Sequence, residues 1–183
     1  YFWEVDLNTS FTGEDNLNIE IETGNTPDTD SFLAVTDFGK DSGDVLKVSD
    51  INYTFPVGDW KVTVGDSLDA SKQFTGACEY GNTVDALSDC GTGNSIAVGG
   101  DQTISAGYDL DNGFSFGLGI SADDGETTKG MFTAEGEDIY AVNVAYSGDN
   151  YAVALAYADV DVATYWGINC LLYTSPSPRD GSI

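Results

Sequence analysis

Histidine is absent from the 183 residues. That removes Ser-His-Asp and Cys-His catalysis, His-ligated zinc and imidazole proton shuttles together. Positive charge is scarce as well: six Lys and Arg stand against 31 Asp and Glu, a formal net charge of −25. A chain so acidic does not bind nucleic acid, whose phosphates need Lys and Arg. It does not dock on an anionic membrane surface either. Long apolar runs are missing: the longest, Tyr151 to Ala158, is about eight residues, too short for a transmembrane helix. The one Met is Met131, and no leader precedes Tyr1, which reads as a start lost by truncation. Nothing in these residues points to an enzyme, a metal site or a cofactor.

What is present excludes disorder, because 41% of the residues are hydrophobic and 12% aromatic. The acidity fits an extracellular or periplasm-facing protein, or one that meets cations. The apolar residues recur with a period of two, the mark of strands with one apolar and one wet face. The stretch DINYTFPVGDWKVTVG, Asp50 to Gly65, shows it twice. Ile51, Tyr53 and Phe55 share a face before a Pro-Val-Gly-Asp turn, and Trp60, Val62 and Val64 share one after it.

The same pattern runs along the chain. Tyr1 to Asn8 and Asn16 to Glu22 read as the first two strands, and the Asp50–Gly65 hairpin supplies the next two. Leu46 and Val48 are out of phase with Ile51, Tyr53 and Phe55, which predicts a bulge near Ser49 or Asp50. Further strands are expected over Asp101 to Leu110, Phe114 to Ala122, Asp138 to Tyr146 and Tyr151 to Ala158. Tyr165 and Trp166 open a candidate ninth. The Asp111-Asn112-Gly113 sequence is a strong hairpin signal.

Connections between these strands alternate short and long. Strands of about nine residues with that alternation are expected of an outer-membrane β-barrel, with tight periplasmic turns and extended outer loops. A soluble sandwich has no reason to sort its loops this way. Tyr53, Phe55, Trp60, Tyr108, Phe114, Phe116, Tyr146 and Tyr151 lie close to the short turns and on the apolar parity. They are the expected aromatic girdle, with rings between hydrocarbon and water. An ordinary aromatic β-core is the competing reading.

If the apolar parity faces lipid, the other lines a lumen. On the later strands it is small (Thr103, Ser105, Gly107, Ser115, Gly117, Gly119, Ala141, Asn143, Ala145, Ala152, Ala154, Ala156), which leaves room for a pore or an inserted loop in a large barrel. On the first two strands it carries Glu4, Asp6, Asn18, Glu20 and Glu22, a lining that favours cations unless it is simply a solvated face. On the hairpin it carries Asn52, Thr54, Lys61 and Thr63, expected to face water in the pore.

Cys78 and Cys90 lie in the longest connection and are either a disulfide, worth about 3 kcal/mol at most, or two free thiols. The acidic Asp123-Asp124-Gly125-Glu126 loop has no EF-hand spacing and reads as solvated. Residues 170–183 stand apart. CLLYTSPSPRD, Cys170 to Asp180, reads as a translated sequencing adapter, which makes Cys170, Pro176, Pro178 and Arg179 foreign and the tail disordered; a genuine Pro/Ser-rich tail is the alternative. Residues 1–169 are then a partial barrel of about eight strands.

The segments DLNTSFTGEDNLNIEIETGN (Asp6 to Asn25) and INYTFPVGDWKVTVG (Ile51 to Gly65), followed in order by NGFSFGLGISA, KGMFT and YSGDNYAVALAY, resemble the cyanobacterial branch of the carbohydrate-selective (OprB-like) porin family, of the iron-uptake-porin type. The resemblance implies a cyanobacterial outer-membrane diffusion pore of about sixteen strands, commonly a homotrimer, passing small hydrophilic solutes such as sugars or inorganic ions, iron among them. It transfers no ligand-binding residue. Its partners would be outer-membrane lipid and those solutes. The reading set against it is a secreted acidic β-protein, a Ca²⁺-dependent binding or adhesive module that buries its apolar parity between two sheets.

Overall fold

The computed structural model describes residues 1–25, 42–77, 100–123, 130–133, 136–160 and 163–172. Nine antiparallel strands follow one another in chain order and form one open sheet. They are β1 (Phe2–Thr9), β2 (Asn16–Gly24), β3 (Lys47–Val57), β4 (Trp60–Asp66), β5 (Gln102–Asp109), β6 (Phe114–Asp123), β7 (Glu137–Ser147), β8 (Tyr151–Val160) and β9 (Ala163–Leu172). The period-two reading locates every strand, with ends differing by about two residues. No helix among the described residues is long and apolar enough to cross a membrane, which says nothing of strands.

The phase break before Ile51 is a bulge at Ser49. Glu20 pairs with Asp50 and Ile21 with Val48, so Ser49 is skipped, and its hydroxyl donates to the Glu20 carboxylate at 2.7 Å. The β3–β4 turn is two residues, Gly58 and Asp59, with Gly58 at φ +62°, a left-handed conformation that glycine takes without strain. Gly113, in the β5–β6 turn, has φ +87°, and a Cβ there would come within 2.5 Å of the Ser147 carbonyl oxygen.

Two expectations need adjusting. The described residues hold nine strands, and β9 runs through Cys170 to Leu172, three residues into the stretch assigned to a foreign tail. Its register continues without a break, Val153 opposite Cys170 and Tyr151 opposite Leu172. The β8–β9 link, residues 161–162, is short where the alternation of lengths calls for a long one.

The two faces of the sheet differ in kind. On β7, Tyr140, Val142 and Val144 are exposed, while Ile139, Ala141, Asn143 and Ala145 between them are buried. Leu118 is 49% exposed and Ile104 42%, whereas Ser105 and Ser121 are fully buried. Large apolar side chains therefore point outward, and small or polar ones form the packed interior. Ordinary soluble sheets do the reverse.

Candidate functional site

The small residues of β4–β8 form a seat, and residues 67–77 of the β4–β5 connection fill it. Hydroxyls on the wall hold the segment by its backbone: Thr103 Oγ1 donates to the Leu68 carbonyl at 2.6 Å and Ser105 Oγ to the Ala70 carbonyl at 2.9 Å. The Gln73 N–H donates back to Ser105 Oγ at 3.1 Å, and Gln73 Nε2 to Thr63 Oγ1 at 2.7 Å. The Thr75 N–H reaches Asn143 Oδ1 on β7 at 3.1 Å.

Close approach is what the glycines are for. A Cβ on Gly119 would lie 1.9 Å from the Ala70 carbonyl oxygen, and one on Gly117 would lie 2.4 Å from a Phe74 ring carbon. Ala70 packs with Ile139, Ala141, Ala156 and Ala158, flanked by Phe74 and Val160, and Ala77 packs with Ala145, Ala152 and Ala154. Burial pushes the Asp69 carboxyl up, and the nearby Lys72 ammonium offsets only part of that rise.

The other half of the inner face is acidic. Register places Glu4 opposite Glu22 and Asp6 opposite Glu20, and Glu20 opposite Asp50. Like charges directly opposite one another cost a sheet stability. Asn18 Nδ2 bonds Asp6 Oδ1 at 2.9 Å, and Asn52 Nδ2 bonds Asp50 Oδ1 at 3.0 Å. Glu4, Glu20 and Glu22 each bring a carboxylate oxygen within 4.8 Å of the others, an all-oxygen set of the kind a hard divalent cation accepts. The Lys72 ammonium reaches in from the seated segment, 3.7 Å from Asp50 Oδ2.

All nine expected lining residues lie on this inner face, but they are not equally open. Glu4 and Asp6 are exposed, and Asn18, Glu20 and Glu22 are half-buried. Of the hairpin set, Lys61 is exposed and Thr54 half-buried, while Thr63 is fully buried and Asn52 is 4% exposed. Thr63 and Asn52 therefore do not face water: Gln73 caps the first, and the Asn18 and Asp50 side chains close over the second. Cys78 and Cys90 lie outside the described residues, as does most of the Asp123–Glu126 loop. Cys170 is a free, exposed thiol.

On the outer face the aromatic residues meet along and across strands at the short-turn end. Tyr53 stacks on Phe55 with ring centres 5.3 Å apart, Trp60 meets Tyr108 at 5.1 Å, and Phe114 meets Tyr146 at 4.9 Å. Tyr146 in turn meets Tyr151 at 5.6 Å. Phe116 is exposed on the same face beside Tyr108. At the opposite end of β8 and β9, Tyr157 and Trp166 are 4.6 Å apart, with Tyr140 and Trp3 exposed towards the same rim. The sequence reading missed this second rim, because Trp166 falls where the alternation fades. Between the rims on β7 lie Val142 and Val144, and Tyr140 to Tyr146 spans roughly 20 Å at about 3.4 Å per residue.

The β1–β2 turn is built on Asp15, whose carboxylate accepts hydrogen bonds from Ser10 Oγ, the Phe11 and Thr12 backbone N–H groups, Thr12 Oγ1 and Tyr53 OH, the last at 2.6 Å. These donors, the Tyr53 hydroxyl first, hold its carboxyl well below the usual range. No protein-family model, curated protein or solved structure matches the chain.

Proposed function

We propose that this sheet is wall from an outer-membrane porin, a passive, water-filled pore for small hydrophilic solutes, with inorganic cations (iron among them) as preferred cargo and sugars as second choice. One observation carries the reading: the sheet is inside-out. Its exposed face is a band of Ile, Leu, Val and Phe bordered by aromatic rims, and its packed face is Ala, Ser, Thr, Asn and Gly. Lipid rewards that arrangement and water penalises it. Sorting of the connections from β1 to β8 and the acidic strip of β1–β3 agree with it. The two edges, β1 and β9, need strand partners before such a wall can stand in hydrocarbon, where an unpaired backbone group costs several kcal/mol.

Brominated phospholipids test the reading. Trp3, Trp60 and Trp166 report from the outer face, so refolding into brominated vesicles should quench tryptophan emission strongly. A full-length product, with the strands that pair β1 and β9, that stays monodisperse without detergent and unquenched in those vesicles is a soluble β-protein, and the porin reading then fails.

A further inference from the structure

The seated segment adds a positive charge to an acidic strip. Its backbone is bonded to β5 and β7 and its Gln73 side chain to β4, yet Lys72 points the other way, to Asp50 on β3. Asp50 stands opposite Glu20, and Glu20 opposite Asp6, so the ammonium ends a row of three carboxylates on consecutive strands. The Lys72 side chain remains 43% exposed, against 12% for Asp50. It also borders two openings beside the segment. One, of about 320 Å³, is lined by Asp50, Asp69 and Ser71, and the other, of about 300 Å³, by Lys61, Gln73 and Asp109. Lys72 is the residue the two share.

We infer that Lys72 sets the charge preference of the strip left open on the inner face, by standing among its carboxylates as a fixed counter-charge. The inference rests on the pore reading above. Once the segment is seated, β4–β8 are covered, and solutes are left the β1–β3 strip with Lys72 at its border. An ammonium a few ångströms from the carboxylate row lowers the local concentration of cations and raises that of anions. Its effect is confined to about one Debye length, so it must fade in high salt. Removing the charge makes the strip more selective for cations, the reverse of neutralising the carboxylates.

Thiol chemistry reads this out without ion flow. In a background with Cys78, Cys90 and Cys170 replaced by Ser, Asn18→Cys is labelled in vesicles with a cationic and an anionic methanethiosulfonate, and the two rates are compared. Lys72→Gln should raise the cation-to-anion rate ratio about three- to tenfold at low ionic strength, and little at 1 M salt. Lys72→Arg should restore the original ratio. An unchanged ratio in Lys72→Gln overturns the inference, as does a change that persists at 1 M salt. Conductance in planar bilayers reports separately on the pore reading. A protein that never conducts but shifts its thiol ratio as stated fails as a porin, while the charge-setting role of Lys72 stands.

Discussion

The inner face of this sheet has two halves that meet at the β3–β4 hairpin, and they are built by opposite rules. Across β1–β3 it presents Glu4, Asp6, Glu20, Glu22 and Asp50, paired like against like except where Lys47 stands opposite Glu22. Across β4–β8 it presents mostly Gly, Ala, Ser and Thr, with Lys61, Ile139 and Asn143 among the larger members, and a segment of the same chain packed onto them. One half forgoes stability to hold charge at a water-accessible surface. The other gives up charge and size so that a backbone can lie against it. The difference teaches where function is expected. Packing explains the covered half completely, whereas nothing about folding requires the row of carboxylates.

The largest effect should come from denying the segment its seat. Gly119→Val places branched carbon where the Ala70 carbonyl lies, and overpacking of this kind costs about 1–3 kcal/mol. Leu118→Val, one residue away on the outer face, should cost far less. Trypsin gives the local readout, because Lys72 lies within the seated segment. Cleavage there should become fast in Gly119→Val and stay slow in Leu118→Val. Equal protection in both would mean that the segment is not held by that seat.

Charge comes next. Replacing Glu4, Asp6, Glu20 and Glu22 with their amides should lower cation over anion permeability severalfold in planar bilayers. The same change should stabilise the sheet slightly, since each relieved like-charge pair is worth about 0.2–1 kcal/mol. Unchanged reversal potentials would reduce the acidic half to a solvated face and erase the contrast with β4–β8.

The amino-acid pattern discloses these halves unequally. Strand positions and even the Ser49 bulge follow from period two, because Val48 and Ile51 must share a face and are an odd number of residues apart. The acidic row is legible in the same way once Glu4, Asp6, Glu20 and Glu22 are counted onto one parity. The seat is legible only as a vacancy. Gly107, Gly117 and Gly119 announce room without saying what fills it. Leu68, Ala70, Gln73 and Phe74 lack any repeat, and the Thr75–Asn143 bond joins residues 68 apart in sequence. Thr63 looks like a wet residue for that reason. Its hydroxyl matches the period, and only the partner's position buries it.

A smaller effect separates the β1–β2 turn from the rest of the acidic half. Asp15 is held below its ordinary value of 3.8, so it contributes stability above that pH and loses it as pH falls through its lower, folded value. Asp15→Asn removes the contribution at neutral pH. The stability gap between the native chain and this variant should therefore narrow as pH drops from about 5 towards about 2. Carboxylates common to both proteins cancel in the difference. A gap independent of pH would show that the turn does not depend on the ionised form.

The smallest effect lies on the seam itself, where Thr54 on β3 and Thr63 on β4 bring their hydroxyls to 2.7 Å. Either hydroxyl can donate in that bond, and Gln73 Nε2 donates to Thr63 Oγ1 as well. The seated segment is thereby connected, through two hydroxyls, to the strand that carries Asp50. Thr54→Val removes the hydroxyl that the buried Thr63 hydroxyl is bonded to, for about 0.5–1.5 kcal/mol. Thr63→Val removes the middle of the relay and strands Gln73 as well, so it should cost more than Thr54→Val. If the two halves are independent, Thr54→Val and Lys72→Gln will add in urea midpoints. If the segment couples them, the double variant will lose less than the sum, because each single change will already have loosened the same end of residues 67–77.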